Sequence, residues 1–187
     1  LPLAFGESTK TLTYVVDGLK EYRFTIRWGE SRITDDAEGA VIGTSKQRPN
    51  KKEILSKLAG FIGEIEQVPP VYSAVKIGGR RAYELARKNQ SFALKPRLIK
   101  IYQFELVEMI DADHAIFRVV SGKGAYMRSL ARDLALALGT MGHIAQLRRL
   151  RGGPFVEKDA ISLDKVVELG HTAPANKILW PVEAALD

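Results

Sequence analysis

Between residues 22 and 28 the chain reads Tyr-Arg-Phe-Thr-Ile-Arg-Trp, an alternation without a slip. Successive side chains of a strand point to opposite faces, so Tyr22, Phe24, Ile26 and Trp28 share one face and Arg23, Thr25 and Arg27 the other. A helix would scatter these groups around its axis. The stretch is therefore expected as a half-buried strand, and the rest of the chain must supply the layer that covers its apolar side.

Helical spacing supplies that cover. Met127, Leu130, Ala131, Leu134 and Leu138 recur at three- and four-residue intervals after Gly122-Lys123-Gly124, and Gly139 provides a stop. Residues 51–62 carry a second stripe, Ile54, Leu55, Leu58, Phe61 and Ile62. Shorter helices are expected at 7–16, 80–88 and 163–169, and another at 141–150 burying Met141, Ile144 and Leu147. Strands are expected at 98–110 and 114–120 across the turn Asp111-Ala112-Asp113, with a short one at 71–77 closed by Gly78-Gly79. The polar, turn-rich stretch 29–49 reads as a long loop. Helices and strands mix without regular alternation, which indicates an α+β domain over 1–155 followed by a helical and loop tail over 156–187.

Composition narrows the function classes. At 45% hydrophobic and 27% charged residues the chain is globular rather than disordered. No apolar stretch approaches the roughly 20 residues that cross a bilayer. There is no cysteine, so disulfides, thiolate metal sites and cysteine nucleophiles are excluded, in keeping with a cytoplasmic protein. His114, His143 and His171 show no ligand spacing, and no metal or cofactor is expected.

The net charge of +6 is segregated. Residues 76–100 hold Lys76, Arg80, Arg81, Arg87, Lys88, Lys95, Arg97 and Lys100 against Glu84 alone, a net of +7. Residues 123–151 hold Lys123, Arg128, Arg132, Arg148, Arg149 and Arg151 against Asp133, a net of +5. Such clustering suits a polyanionic partner, or a solvated basic face. Three segments add chemistry. Lys123-Gly124-Ala125-Tyr126-Met127-Arg128 is a turn feeding a helix, whose free N–H groups and cations favour an anion, and Arg128 and Arg132 share a face one turn apart; a core-edge Tyr126 with two solvated arginines has the same pattern. Leu147-Arg148-Arg149-Leu150-Arg151, read as a helix end, serves either phosphates or the helix dipole. Pro69-Pro70-Val71-Tyr72-Ser73-Ala74-Val75-Lys76 followed by Gly78-Gly79-Arg80-Arg81 combines aromatics and cations as phosphate tracking with base stacking requires, though a plain hairpin has the same composition.

The order of these segments says more than any one of them. Tyr22-Arg23, Thr34-Asp35-Asp36-Ala37-Glu38-Gly39, Val68 to Lys76, Lys123 to Arg128 and Leu147 to Leu150, preceded by Leu-Pro-Leu-Ala-Phe-Gly-Glu-Ser-Thr-Lys at the start, form a series that resembles the TruB-type tRNA pseudouridine synthases. The resemblance runs to about Pro154. It implies a mixed, mostly antiparallel central sheet flanked by helices, and a monomeric enzyme that isomerises a uridine in the TΨC arm of tRNA without metal or organic cofactor. The base would be flipped out of its stack, because its reacting atoms are unreachable within a folded loop. By resemblance Tyr22 and Arg128 are catalytic, Arg128 pairing with an aspartate nucleophile, and Tyr22, Tyr126 and Leu147 line the uracil pocket. Residues 71–97 form a flexible element that closes on RNA, and Lys76, Arg80, Arg81, Lys123, Arg132, Arg148 and Arg149 contact it.

The chain departs from the family pattern in three places. The nucleophilic aspartate, which the family carries just upstream of the position of Leu1, is absent from these 187 residues, so they are expected to be inactive alone. Position 125 is alanine where threonine is frequent, and the C-terminal RNA-binding domain of bacterial members is missing. An RNA-binding module or tRNA chaperone without chemistry is the alternative reading.

Overall fold

The computed structural model describes residues 2–172 and 179–185. Leu1, at the start of the family-like series, and residues 173–178 and 186–187 of the tail lie outside the described residues.

The strand read first is β1 (Lys20–Trp28), and it sits in the middle of a six-stranded sheet. In chain order the remaining strands are β2 (Glu30–Arg32), β3 (Val41–Thr44), β4 (Gly63–Gln67), β5 (Lys76–Ile77), β6 (Arg80–Arg81), β7 (Arg97–Met109), β8 (His114–Ser121), β9 (Gly142–Gly152) and β10 (Phe155–Val156). The main sheet runs β10-β9-β1-β8-β7-β4 with every pairing antiparallel, while β2-β3 and β5-β6 are separate two-stranded ribbons. Among the described residues five α-helices accompany it: α1 (Leu12–Asp17), α2 (Lys51–Leu58), α3 (Ala82–Arg87), α4 (Met127–Ala137) and α5 (Leu163–Thr172). The architecture is the expected α+β one.

The core lies between the sheet and α4. Phe24, Ile26 and Trp28 are buried, and they meet Leu130, Leu134 and Ala135 of α4 in one apolar cluster with Phe104 and Phe117. Phe24 stacks on Phe117 at 5.8 Å between centroids, and Trp28 meets the same ring edge-on at 6.1 Å. Aromatic groups of this size dominate burial energetics, so β1 and α4 are pinned to one another. Gly139 ends α4 with φ 73°, a conformation that costs glycine little.

The sequence expectation fails at four places. Residues 141–150 are not a helix but most of β9, which removes the helix-end reading of Arg148, Arg149 and Arg151. The edge of β1 facing away from β8 needs a hydrogen-bonded partner, and β9 provides it. Two register shifts in that ladder, at Glu21/Tyr22 and Thr25/Ile26, break the period of two, so Met141, Ile144 and Leu147 imitate a helical stripe. The second helix stops at Leu58; a 3-10 turn follows, Leu55 and Ile62 are about half exposed, and β4 begins at Gly63. β4 is an edge strand whose Glu64 and Glu66 face solvent, a poor strand composition that hides it. The supposed loop 29–49 contains the β2-β3 ribbon. Of the strand expected at 71–77 only Lys76 and Ile77 pair, with Arg81 and Arg80, across Gly78 and Gly79, both at positive φ as a tight hairpin turn requires.

Candidate RNA-modifying site

Two clusters of functional side chains flank the start of α4. The first is on β1. Tyr22 stands opposite Arg149 of β9 and Val119 of β8, and the Arg149 guanidinium lies over the Tyr22 ring, 5.4 Å from its centroid. The two border a cavity of about 320 Å³ together with Lys20, Lys123 and Ala125. Lys20 donates to the carbonyl oxygens of Val16 and Gly18, the latter at 2.6 Å, and Lys123 pairs with Asp17 at 2.9 Å. Burial pushes the Lys20 ammonium below its ordinary pKa; Asp17 opposes this, and Arg149 and Lys123 add to it. A cavity with three cations and one aromatic face suits a base joined to a phosphate.

The second cluster hangs from the first two turns of α4. Arg128 Nη1 donates to Thr34 O at 2.8 Å and Asp36 Oδ2 at 3.0 Å, and its Nη2 to Tyr72 O at 2.8 Å. The other Asp36 oxygen accepts from the Thr34 hydroxyl at 2.5 Å and from Glu38 N at 3.2 Å. One turn on, Arg132 donates from all three guanidinium nitrogens: to Asp133 at 2.9 Å, to Asp35 at 3.0 Å and to Val68 O at 2.9 Å. Burial raises the Asp35 carboxyl pKa, with Arg132 and Arg128 opposing.

Tyr126 joins the clusters. It is the N-cap of α4 and makes no side-chain cap of its own. Buried Gln67, at the end of β4, does that work: its Oε1 accepts from Tyr126 N at 2.8 Å and its Nε2 donates to Tyr126 O at 3.2 Å. A side-chain amide that matches both backbone groups fixes the helix start on the sheet.

The expected residues divide as follows. Tyr22, Lys123 and Arg149 share the cavity, whereas Tyr126, Arg128 and Leu147 are not on its wall. Leu147 stands opposite Phe24 on β9 and is 49% exposed. Arg128 meets Asp36 within this chain. Arg132, expected against RNA, has its guanidinium taken up by protein acceptors. Arg148 pairs with Glu157. Lys76, Arg80 and Arg81 are exposed on the β5-β6 ribbon, with Arg81 donating to Ala74 O at 2.6 Å. Among the described residues no group of three or more His, Asp or Glu is placed to hold a metal ion. Sequence reasoning missed Gln67 altogether. It placed Asp35 and Asp36 in a polar loop without their arginine partners, although the four-residue spacing of Arg128 and Arg132 hinted at a shared target.

Comparison with known proteins adds a family. Residues 1–127 match the model of the TruB family pseudouridylate synthase (N terminal domain), and residues 128–187 match that of the tRNA pseudouridylate synthase B C-terminal domain. The division falls at the start of α4 and cuts the sheet, leaving β9 and β10 in the second match. A tRNA pseudouridine synthase B of Rhodospirillum rubrum is 60% identical over 186 residues, and one of Gluconacetobacter diazotrophicus is 57% identical over 187. The alignments take in the whole chain and 60% and 61% of those proteins, so the chain spans about three-fifths of their length. Among solved structures, a Cbf5-Nop10-Gar1 complex superposes with TM-score 0.70 at 28% identity, over 99% of this chain and 48% of that one. An H/ACA RNP bound to a substrate RNA containing 2'-deoxyuridine shares the fold, with TM-score 0.67 at 23% identity over 97% and 46% of the respective chains.

Proposed function

Since the chain belongs to the TruB family of pseudouridylate synthases, we propose that it serves the isomerisation of a tRNA uridine to pseudouridine, with the TΨC arm as its target. The observation that carries this reading within the molecule is Arg128. It is held on α4 by Asp36 and two backbone carbonyls, between the 34–36 turn and the segment leading into the basic ribbon. A guanidinium fixed this way offers a pre-oriented positive charge with little left to reorganise, which is how an arginine best stabilises an ionised carboxylate or a developing anion.

Tyr22 would stack against the extruded uracil, with Lys123 and Arg149 on the adjoining backbone; Tyr126 and Leu147, which lie off the cavity wall, would border the base only by the family resemblance. The aspartate nucleophile is not one of the carboxylates gathered here. Asp36 is saturated by Thr34, Glu38 and Arg128, Asp35 is paired with Arg132, and Asp17 with Lys123. Residues 1–187 alone are therefore expected to grip RNA without converting it. The β5-β6 ribbon and α3 stand outside the main sheet and carry the densest positive charge, which suits them to close on the RNA arm. No metal or organic cofactor is required, since the reaction needs only a nucleophile and proton transfer. No helix among the described residues is long and apolar enough to cross a membrane, and a monomer working in the cytoplasm with tRNA is the arrangement we favour.

The test is uridine isomerisation on tRNA transcripts by the natural full-length protein and its Arg128→Ala variant. Conversion by the former and loss of about a hundredfold or more in the latter supports the reading, as expected for removing a preorganised electrostatic contact. Normal turnover by Arg128→Ala would refute it.

A further inference from the structure

Arg132 was expected to meet RNA, yet its geometry describes a different task. Arg128 and Arg132, one helical turn apart, bridge the same two segments. Arg132 joins Asp35 to Val68 O, and Arg128 joins Thr34 and Asp36 to Tyr72 O. They are two rungs of one ladder, strapping the 34–36 turn and the 68–72 segment to α4. Arg132 and Asp35 form the less exposed rung, with side chains 24% and 14% exposed.

The backbone at Asp35 makes this ladder possible. Consecutive residues of an extended chain point to opposite sides, so two neighbouring carboxylates would not reach one helix face. Asp35 has φ 60°, the left-handed conformation, which aspartate tolerates better than most residues at a modest cost in strain. With it, Asp35 meets Arg132 while Asp36 meets Arg128. The same turn is tied to β9 by Ile144 N donating to Asp35 O at 3.1 Å. The position of Arg128 thus depends on a turn that Arg132 holds from the next turn of the helix.

We propose that Arg132 and Asp35 are a positioning pair: they fix the 34–36 turn on α4 so that Asp36 and Arg128 meet in one geometry, and they do not contact RNA. The inference rests on the functional reading above, because the geometry it protects is that of Arg128. Misplacement of a reacting constellation by about 1 Å costs up to a hundredfold, so the effect belongs in the chemical step.

The experiment compares full-length wild type, Asp35→Asn, Arg132→Gln, Arg132→Lys and the Asp35→Asn/Arg132→Gln double variant. Asparagine retains tolerance of the left-handed backbone while removing the charge. Single-turnover isomerisation and tRNA affinity across a salt series are measured well below each variant's melting temperature. We expect Asp35→Asn and Arg132→Gln each to slow the single-turnover rate by about tenfold or more, the double variant to be no slower than the worse single, and Arg132→Lys to fall between. Affinity stays within about twofold of wild type and its salt slope does not change. A wild-type rate with weakened affinity and a salt slope smaller by about one would overturn the proposal in favour of a phosphate contact. Rate losses that only follow the unfolded fraction, or no change in either readout, would overturn it as well. If wild type itself does not isomerise uridine, the functional reading fails first, in a separate arm of the same experiment, and the proposal falls with it.

Discussion

The Arg149 guanidinium lies over Tyr22, its central carbon 5.4 Å from the ring centroid, and reaches it from the residue directly opposite on the neighbouring strand. At an exposed position such a contact contributes about 0.5–1 kcal/mol. Tyr22 is thus held against β9 before any base arrives. Arg149→Leu should weaken tRNA binding and loosen the ring, with a two- to fivefold combined loss of kcat/KM at about 1 kcal/mol or less. Steady-state kinetics at two salt concentrations tests this, and an unchanged salt slope would remove Arg149 from the RNA contacts.

Gln67 offers a stability test independent of RNA. Gln67→Leu keeps the bulk and removes both hydrogen bonds to Tyr126, leaving the Tyr126 N–H without its partner while the carbonyl keeps Leu130 N. The expected loss is about 1–3 kcal/mol in the free energy of unfolding, read from the urea midpoint. A midpoint unchanged from wild type would mean that α4 does not depend on this support.

The pH dependence of stability should carry the signature of His143. This side chain is 1% exposed, with Nδ1 3.0 Å from Glu30 O. Burial chiefly lowers its pKa; the Glu30 carbonyl opposes this, while Arg32 and Arg27 reinforce it. The unfolded chain therefore takes up this proton first as pH falls. Stability should be intact above about pH 6.5 and decline below it, with a slope approaching 1.4 kcal/mol per pH unit from this one group. Denaturation between pH 8 and 5 should show the decline in wild type and a flatter profile in His143→Gln.

Charge reversal separates the two basic surfaces. Arg80 and Arg81 are exposed on the β5-β6 ribbon, whereas Arg27 is paired with Glu30 at 3.1 Å. Arg80→Glu with Arg81→Glu should weaken tRNA binding more than Arg23→Glu with Arg27→Glu, and should lower the salt slope by about two. Equal losses in a filter-binding titration would contradict the closing role of the ribbon.

How much of this was legible in the sequence follows from the kind of signal each element carries. β1 and α4 announce themselves because each has one clean period and one buried face. β9 did not, because two bulges against β1 destroy its alternation and leave an apolar spacing that fits a helix. β4 did not, because its glutamates face solvent at a sheet edge. In the site, the residue types were visible and the pairings were not. Arg128 and Arg132 were on one face in any reading of α4, but their partners at 34–36 lie far away in the chain and depend on one left-handed aspartate. Gln67 acts through a backbone match that no motif encodes.

β1 takes its hydrogen bonds from β8 on one side and β9 on the other, so its neighbours come from both sides of the boundary between the two family matches. That boundary marks evolutionary bookkeeping and not a mechanical joint. A polypeptide severed there would expose an unsatisfied strand in the middle of its sheet and lose α4 from its core. Under the proposed function, movement on RNA capture is expected in appendages such as the glycine-tipped ribbon, while Tyr22 and Arg128 ride on a single unbroken frame.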